Sequence, residues 1–138
     1  MTRKALLLGA TGLVGNDCLA NLLESDEYEQ VRVLCRRPLS IEHPKLDVQV
    51  VDLDKMEACQ SYFQVDDVFC CLGTTMKKAG SRQDFRHVDH DLVVLAGQMA
   101  LRAGVQRFLV VSAVNANARS PFFYARVKGQ MEKALVKL

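Results

Sequence analysis

The sequence predicts one α/β domain built on a doubly wound parallel sheet. Three observations predict it. Short apolar runs alternate with amphipathic stretches along the chain. The runs are continuously apolar rather than alternating, as strands covered on both faces must be. A glycine-rich loop joins the first run to the first amphipathic stretch, where such sheets bind ligands. The 138 residues suffice for one such domain and little more.

The elements follow in order. Lys4–Leu8 reads as the first strand. Leu13–Glu24 is a helix, because Leu13, Val14, Cys18, Leu19, Leu22 and Leu23 group at helical spacing. Val31–Cys35 and Asp47–Val51 are the second and third strands, followed by a weaker helix near Lys55–Phe63. Asp67–Leu72 is the fourth strand. The next helix has the clearest pattern. Ser81 caps it, with Asp84 in capping-box position. Phe85, Val88, Leu92, Leu95, Met99 and Ala103 recur every three or four residues, and Arg102 and Gly104 mark its end. Arg107–Ser112 is the fifth strand. Ser120 and Pro121 supply an N-cap and a first-turn proline for a last helix from about Phe122 to the chain end.

Composition narrows the function. Hydrophobic residues make up 49% and charged residues 25%, the balance of an ordinary globular protein. A net charge of +2 is too small to imply a nucleic-acid or membrane-surface partner. No run of about 18 apolar residues exists, so no membrane span is expected. Met1 to Lys4 and the apolar stretch behind them have the outline of a signal peptide, but glycines interrupt it and no small-x-small cleavage site follows. The five cysteines have no zinc-type spacing, and His87 and His90 lack further ligands at useful spacing, so no metal is expected. Cys35, Cys70 and Cys71 read as buried, reduced thiols of a cytoplasmic protein. Cys70 and Cys71 would point to opposite sheet faces, which disfavours a redox role for that pair.

The loop Gly9-Ala10-Thr11-Gly12-Leu13-Val14-Gly15 has the spacing G-x-x-G-x-x-G between strand and helix. Gly9 permits the tight turn, Gly12 lets the backbone approach a pyrophosphate, and Gly15 lets the helix pack on the sheet. The helix start supplies N–H groups and a positive dipole to an anion. Gly9, Thr11, Gly12, Leu13, Val14 and Gly15 are therefore candidate cofactor contacts. An acid after the second strand would read a ribose hydroxyl. Arg36 and Arg37 stand there instead, which suits the extra phosphate of NADP better than NAD; the alternative is a pair of solvated loop arginines. Asp52 could accept from the adenine amino group, or be a turn or helix cap.

Tyr124 and Lys128 lie four apart on the last helix, on one face. Ser112 ends the fifth strand, where ligands bind in open parallel sheets. Together they suggest carbonyl reduction. Tyr124 would donate the proton, and Lys128 would lower the phenol's pKa and hold the nicotinamide ribose. Ser112 would hydrogen-bond the substrate carbonyl.

This order of glycine loop, strand-end serine and Y-x-x-x-K resembles the short-chain dehydrogenase/reductase superfamily. Cys71-Leu72-Gly73-Thr74-Thr75, Lys78-Ala79-Gly80, Phe85-Arg86-His87-Val88-Asp89 and Val127-Lys128-Gly129 are more narrowly similar to its atypical branch around the Tat-interacting-protein oxidoreductases. The resemblance runs from about Lys4 to the end. It implies an NADP-type Rossmann domain over residues 1–138 with Leu72, Gly73 and Thr74 lining the cofactor. It also places Asp89 where many extended members carry a catalytic asparagine. The expected function is NADP(H)-dependent interconversion of a carbonyl and an alcohol on a small molecule. The alternative is a nucleotide-sensing regulator with the same fold and no turnover. The exposed faces of the two long helices could pair two copies into a homodimer. Such a sheet usually carries a further strand and a substrate-covering region, so a C-terminal portion is expected beyond Leu138.

Overall fold

The computed structural model describes residues 2–138. Its strands are β1 (Arg3–Leu8), β2 (Tyr28–Cys35), β3 (Leu46–Val50), β4 (Asp67–Cys70) and β5 (Arg107–Val110). They form one sheet in the order β3-β2-β1-β4-β5, and every pairing is parallel. The order changes direction between β1 and β4, so a crevice opens beyond the carboxyl ends of those two strands. The helices are α1 (Leu13–Glu24), α2 (Met76–Ala79), α3 (Arg82–Arg86), α4 (Leu92–Ala103) and α5 (Phe123–Val136), with a 3₁₀ segment over Leu53–Phe63.

The continuous apolar strands have the reason expected of them. In β1, Ala5 and Leu7 join a core with Leu19, Leu22 and Leu23 of α1. Leu6 and Leu8 join the opposite core with Val93, Ala96 and Met99 of α4 and Met131 of α5. All four β1 residues are fully buried.

The amino end of the sheet is closed by one carboxylate. Asp67 is fully buried and accepts from Arg3 Nε at 3.0 Å and Nη2 at 2.9 Å, from Arg107 Nε at 2.8 Å and Nη2 at 2.9 Å, and from the Tyr28 hydroxyl at 2.6 Å. Burial alone would raise its pKa, but the bonds from Arg107, Arg3 and Tyr28 outweigh it and hold the carboxyl well below the usual range. Burial, and then the bond to this carboxylate, push the Tyr28 phenol up to about 12.

Three expectations need correction. The long helix after Ser81 is broken: α3 passes into a π-turn at His87–Asp91 before α4 begins. Its cap is as expected, since Ser81 Oγ accepts from Asp84 N at 3.1 Å, and Gly104 ends α4 at φ 73°. The last helix starts at Phe123, two residues beyond Pro121, because the chain stays extended through Phe122 (φ −84°, ψ 125°). Ser120 Oγ accepts from Phe122 N at 3.1 Å, an Ser-turn rather than a helix cap. The fourth and fifth strands stop at Cys70 and Val110, so Cys71, Leu72 and Ser112 lie in the loops that follow.

Candidate functional site

The glycine loop builds the near wall of the crevice. Gly9 has φ +84°, and a Cβ there would lie 2.5 Å from the Cys71 carbonyl carbon. Gly15 is packed so tightly that a Cβ would lie 1.8 Å from Gly9 O. Gly12 differs. Its N–H donates to Gly9 O at 3.2 Å, and a Cβ would meet only that oxygen, at 3.6 Å. No protein atom therefore requires glycine at position 12, and the open space lets a ligand approach the backbone there. The first turn of α1 carries no acid that would oppose an anion.

A cleft of about 800 Å³ lies between this loop and the loop after β4. Gly9, Thr11 and Gly12 line it on one side, Arg36, Arg37 and Asp52 at one end, and Leu72, Gly73 and Thr74 opposite. Among the described residues, no carboxylate forms an ion pair with Arg36 or Arg37. Asp52 caps the 3₁₀ segment, accepting from Asp54 N at 3.0 Å, and also faces the cleft. Leu13 and Val14 do not line it. Their side chains are exposed at the start of α1. Gly15 is buried beneath Gly9 and shapes the loop without reaching the cleft.

The π-turn turns Asp89 inward, and π-turns are frequent at functional sites. Asp89 is 1% exposed and Lys128 4%. Asp89 Oδ2 accepts from Thr74 N at 2.9 Å, and Oδ1 lies 2.7 Å from Lys128 Nζ. That contact is an ion pair without hydrogen-bond alignment, and no other donor satisfies Oδ1. A Cβ on Gly73 would sit 3.4 Å from Oδ1 and 3.9 Å from Nζ. The pair thus lies directly behind the cleft-lining loop and fastens α5 to it.

Tyr124 is 41% exposed at the start of α5, with its ring 5.4 Å from that of Phe85. Ser112 Oγ donates to Glu132 Oε2 at 2.6 Å, one helical turn past Lys128. The structure therefore places Tyr124, Lys128 and Glu132 at successive turns of α5, and Ser112 meets the last of them rather than the first. None of the proposed catalytic three lines the cleft itself.

Sequence reading missed several cleft residues. Lys78, Asp54, His87 and Cys71 all line it, and His87 Nε2 contacts Asp54 Oδ1 across it. Sequence reading set His87 aside as a metal ligand and assigned it no functional role. The Asp89–Lys128 pair joins residues far apart in sequence, so spacing could not reveal it.

Residues 9–137 match the model of an NAD(P)H-binding family. The chain belongs to that family. Its five-stranded parallel sheet agrees with the Rossmann fold expected of a short-chain-dehydrogenase-type protein. The chain is 34% identical over 140 residues to Protein HTATIP2 of Rattus norvegicus, covering 99% of this chain and 57% of that one. It is 36% identical over 137 residues to the mitochondrial protein FMP52 of Meyerozyma guilliermondii, covering 98% and 59%. The chain thus spans under two-thirds of the length of these relatives. Among solved structures, the Bordetella bronchiseptica enzyme WbmG in complex with NAD superposes with a TM-score of 0.79 at 17% identity, covering 99% of this chain and 50% of that one. The UDP-Glc/GlcNAc 4-epimerase of Campylobacter jejuni gives 0.77 at 18% identity, covering 97% and 48%. These two likenesses speak to the fold alone.

The expectation of a cytoplasmic location is overturned. FMP52 proteins of five fungal species are named mitochondrial. No helix among the described residues is long and apolar enough to cross a membrane.

Proposed function

We propose that the chain is the nucleotide-binding part of an NADP(H)-dependent oxidoreductase that interconverts a carbonyl and an alcohol on a small molecule. The observation that carries this reading is the composition of the cleft. A backbone cradle at a helix start faces one way, and two arginines without carboxylate partners stand at the end where a ribose phosphate would lie. The names of the fungal relatives support a mitochondrial location.

The residues present fit the dinucleotide. Gly9, Thr11 and Gly12 would hold the pyrophosphate, Arg36 and Arg37 the 2′-phosphate, and Asp52 the adenine. Leu72, Gly73 and Thr74 would line the cofactor opposite. The bound nicotinamide supplies or accepts a hydride. Tyr124 would give the carbonyl oxygen its proton from the exposed end of α5. Lys128, held by Asp89 behind Gly73, would set the charge beside that hydroxyl and reach the nicotinamide ribose. Ser112 would orient the carbonyl only by exchanging Glu132 for substrate.

That exchange favours a second reading, a nucleotide sensor that never turns over, because Ser112 is already satisfied by Glu132. One experiment separates the two. NADPH and NADH are titrated by fluorescence into the wild type and Tyr124→Phe, followed by a panel of carbonyl substrates. Tighter NADPH binding in both proteins, with turnover only in the wild type, supports the oxidoreductase. Binding without turnover on any substrate supports the sensor, and turnover by Tyr124→Phe removes the role assigned to that hydroxyl.

A further inference from the structure

Helix α2 sets two lysines side by side and turns one of them into the cleft. Lys78 lines the cleft and Lys77 does not. Both are exposed, so they differ in direction rather than burial. The backbone fixes that direction. Thr74 N donates to Oδ2 of the buried Asp89 at 2.9 Å. The next residue caps α2, with Thr75 Oγ1 accepting from Lys78 N at 3.1 Å. Ala79 N donates to Thr75 O at 2.8 Å and Gly80 N to Met76 O at 3.0 Å, which closes the single turn. Lys78 is therefore carried just past Thr74, on the side of the cleft opposite Gly12. Among the described residues no carboxylate forms an ion pair with Lys78, and that includes Asp84, which also lines the cleft.

The facing wall leaves a charge to be met. The loop from Gly9 to Gly15 carries no charged side chain. The start of α1 offers N–H groups and roughly half an elementary charge. A dinucleotide's pyrophosphate carries a full negative charge on each phosphate, so most of that charge has no counterpart on the loop. Arg36 and Arg37 stand at the end of the cleft read above as the ribose-phosphate end, and His87 is engaged by Asp54. We propose that Lys78 is a further nucleotide-binding residue, its ammonium pairing with the pyrophosphate from the wall that faces Gly12. This assignment rests on the nucleotide reading above. Lysine suits the place, because its ammonium is a compact point charge on a flexible stem and needs no planar fork to meet a diphosphate. The pyrophosphate is common to NADPH and NADH. Lys78 therefore adds affinity without choosing between them, whereas Arg36 and Arg37 make the choice.

The contact would also tie the two walls together. Thr74, at the entry to α2, is fixed to Asp89, and Asp89 holds Lys128. A pyrophosphate drawn between Lys78 and Gly12 would thus seat the cofactor against the segment behind which the Lys128 ammonium lies.

The test titrates NADPH and NADH by fluorescence into the full chain, with ADP and adenosine 2′-monophosphate as displacing probes. The proteins are the wild type, Lys78→Met, Lys78→Arg and Lys77→Met, each checked for folding by thermal melting. Lys77→Met removes the same charge from the same turn and serves as the control. Lys78→Met should weaken NADPH, NADH and ADP by one common factor of about tenfold. Adenosine 2′-monophosphate, which has no pyrophosphate, should bind as it does to the wild type. Lys78→Arg should keep most of the affinity, and Lys77→Met should stay within about twofold of the wild type. A loss confined to NADPH and the 2′-monophosphate would move Lys78 to the ribose phosphate and overturn the proposal. An equal loss in Lys77→Met would reduce the effect to the general field of α2 and overturn it too. Wild-type protein that binds neither dinucleotide would overturn the functional reading, and this inference with it. Wild-type protein that binds both, with Lys78→Met binding equally well, would overturn this inference alone.

Discussion

The two ends of the sheet each bury an aspartate, and they use it differently. At the amino end Asp67 receives five hydrogen bonds from Arg3, Arg107 and Tyr28. Arg3 and Arg107 keep part of their side chains in water, so their charges are only partly desolvated. At the carboxyl end Asp89 receives one bond from Thr74 N and one close ammonium, and Oδ1 has no aligned donor. Lys128 is buried with it. A carboxylate with every lone pair used belongs to the scaffold. One left underused behind a cleft, beside a cation the rest of the protein does not neutralise, is set up to act through its neighbours. The difference separates what holds this fold from what works in it.

The most severe test of that comparison lies at the carboxyl end. Asp89→Ala strands the Lys128 ammonium in the interior and should cost about 3–5 kcal/mol, read by urea unfolding. Asp89→Leu combined with Lys128→Met should recover most of that stability, since an apolar pair can replace a buried ionic one. A cost of Asp89→Ala no larger than about 0.5 kcal/mol, typical of a surface change, would mean that Asp89 does not hold Lys128.

At the amino end the expected signature is in pH. The folded-state pKa of Asp67 lies below that of the unfolded chain. Its stabilisation is therefore full above about pH 4 and is lost as pH falls toward the folded value. Tyr28 works in the opposite direction. With its pKa raised to about 12, its contribution is full below about pH 10 and fades as pH climbs through the folded value. Asp67→Asn should remove roughly 2 kcal/mol of the acid-side slope, a figure reduced because both arginines reach solvent. Nucleotide affinity at neutral pH should be unaltered. An acid limb identical to that of the wild type would assign the slope to other carboxylates.

The smallest effect on stability, and the sharpest on binding, belongs to Gly12→Ala. Loss of the glycine cap should cost no more than about 1 kcal/mol. NADPH affinity should fall at least tenfold, about 1.4 kcal/mol, by equilibrium titration. An alanine variant that binds normally would show that nothing approaches the backbone there.

The architecture was legible because it rests on local patterns. Continuous apolar runs marked the strands, and the glycine spacing marked the turn between β1 and α1. The π-turn at His87–Asp91 was hidden because it falls inside an apolar repeat, Val88 then Leu92, whose spacing an unbroken helix satisfies equally well. Helix α2 is four residues long, below what periodicity can detect. At the site, Arg36 and Arg37 were legible from their place after the second strand, and Gly73 only through the family resemblance. The partners of the catalytic candidates were not. Asp89 with Lys128 and Ser112 with Glu132 are tertiary encounters between separate elements, and residue spacing carries no information about them. Cys70 and Cys71 were read as strand neighbours, but β4 ends at Cys70 and Cys71 lies in the loop past it.

The strand order has a kinetic consequence. β1 can pair with β2 across a short helical connection, but it reaches β4 only when Ala5 meets Asp67, after a far longer loop has closed. The cleft lies on that junction. A β1–α1–β2–β3 unit can form first, and the cradle gains its opposite wall only as β4 docks. Bound dinucleotide would then favour the complete sheet over this half-folded intermediate, and its clearest trace would be a larger ligand-induced slowing of amide exchange in β4 and β5 than in β2 and β3.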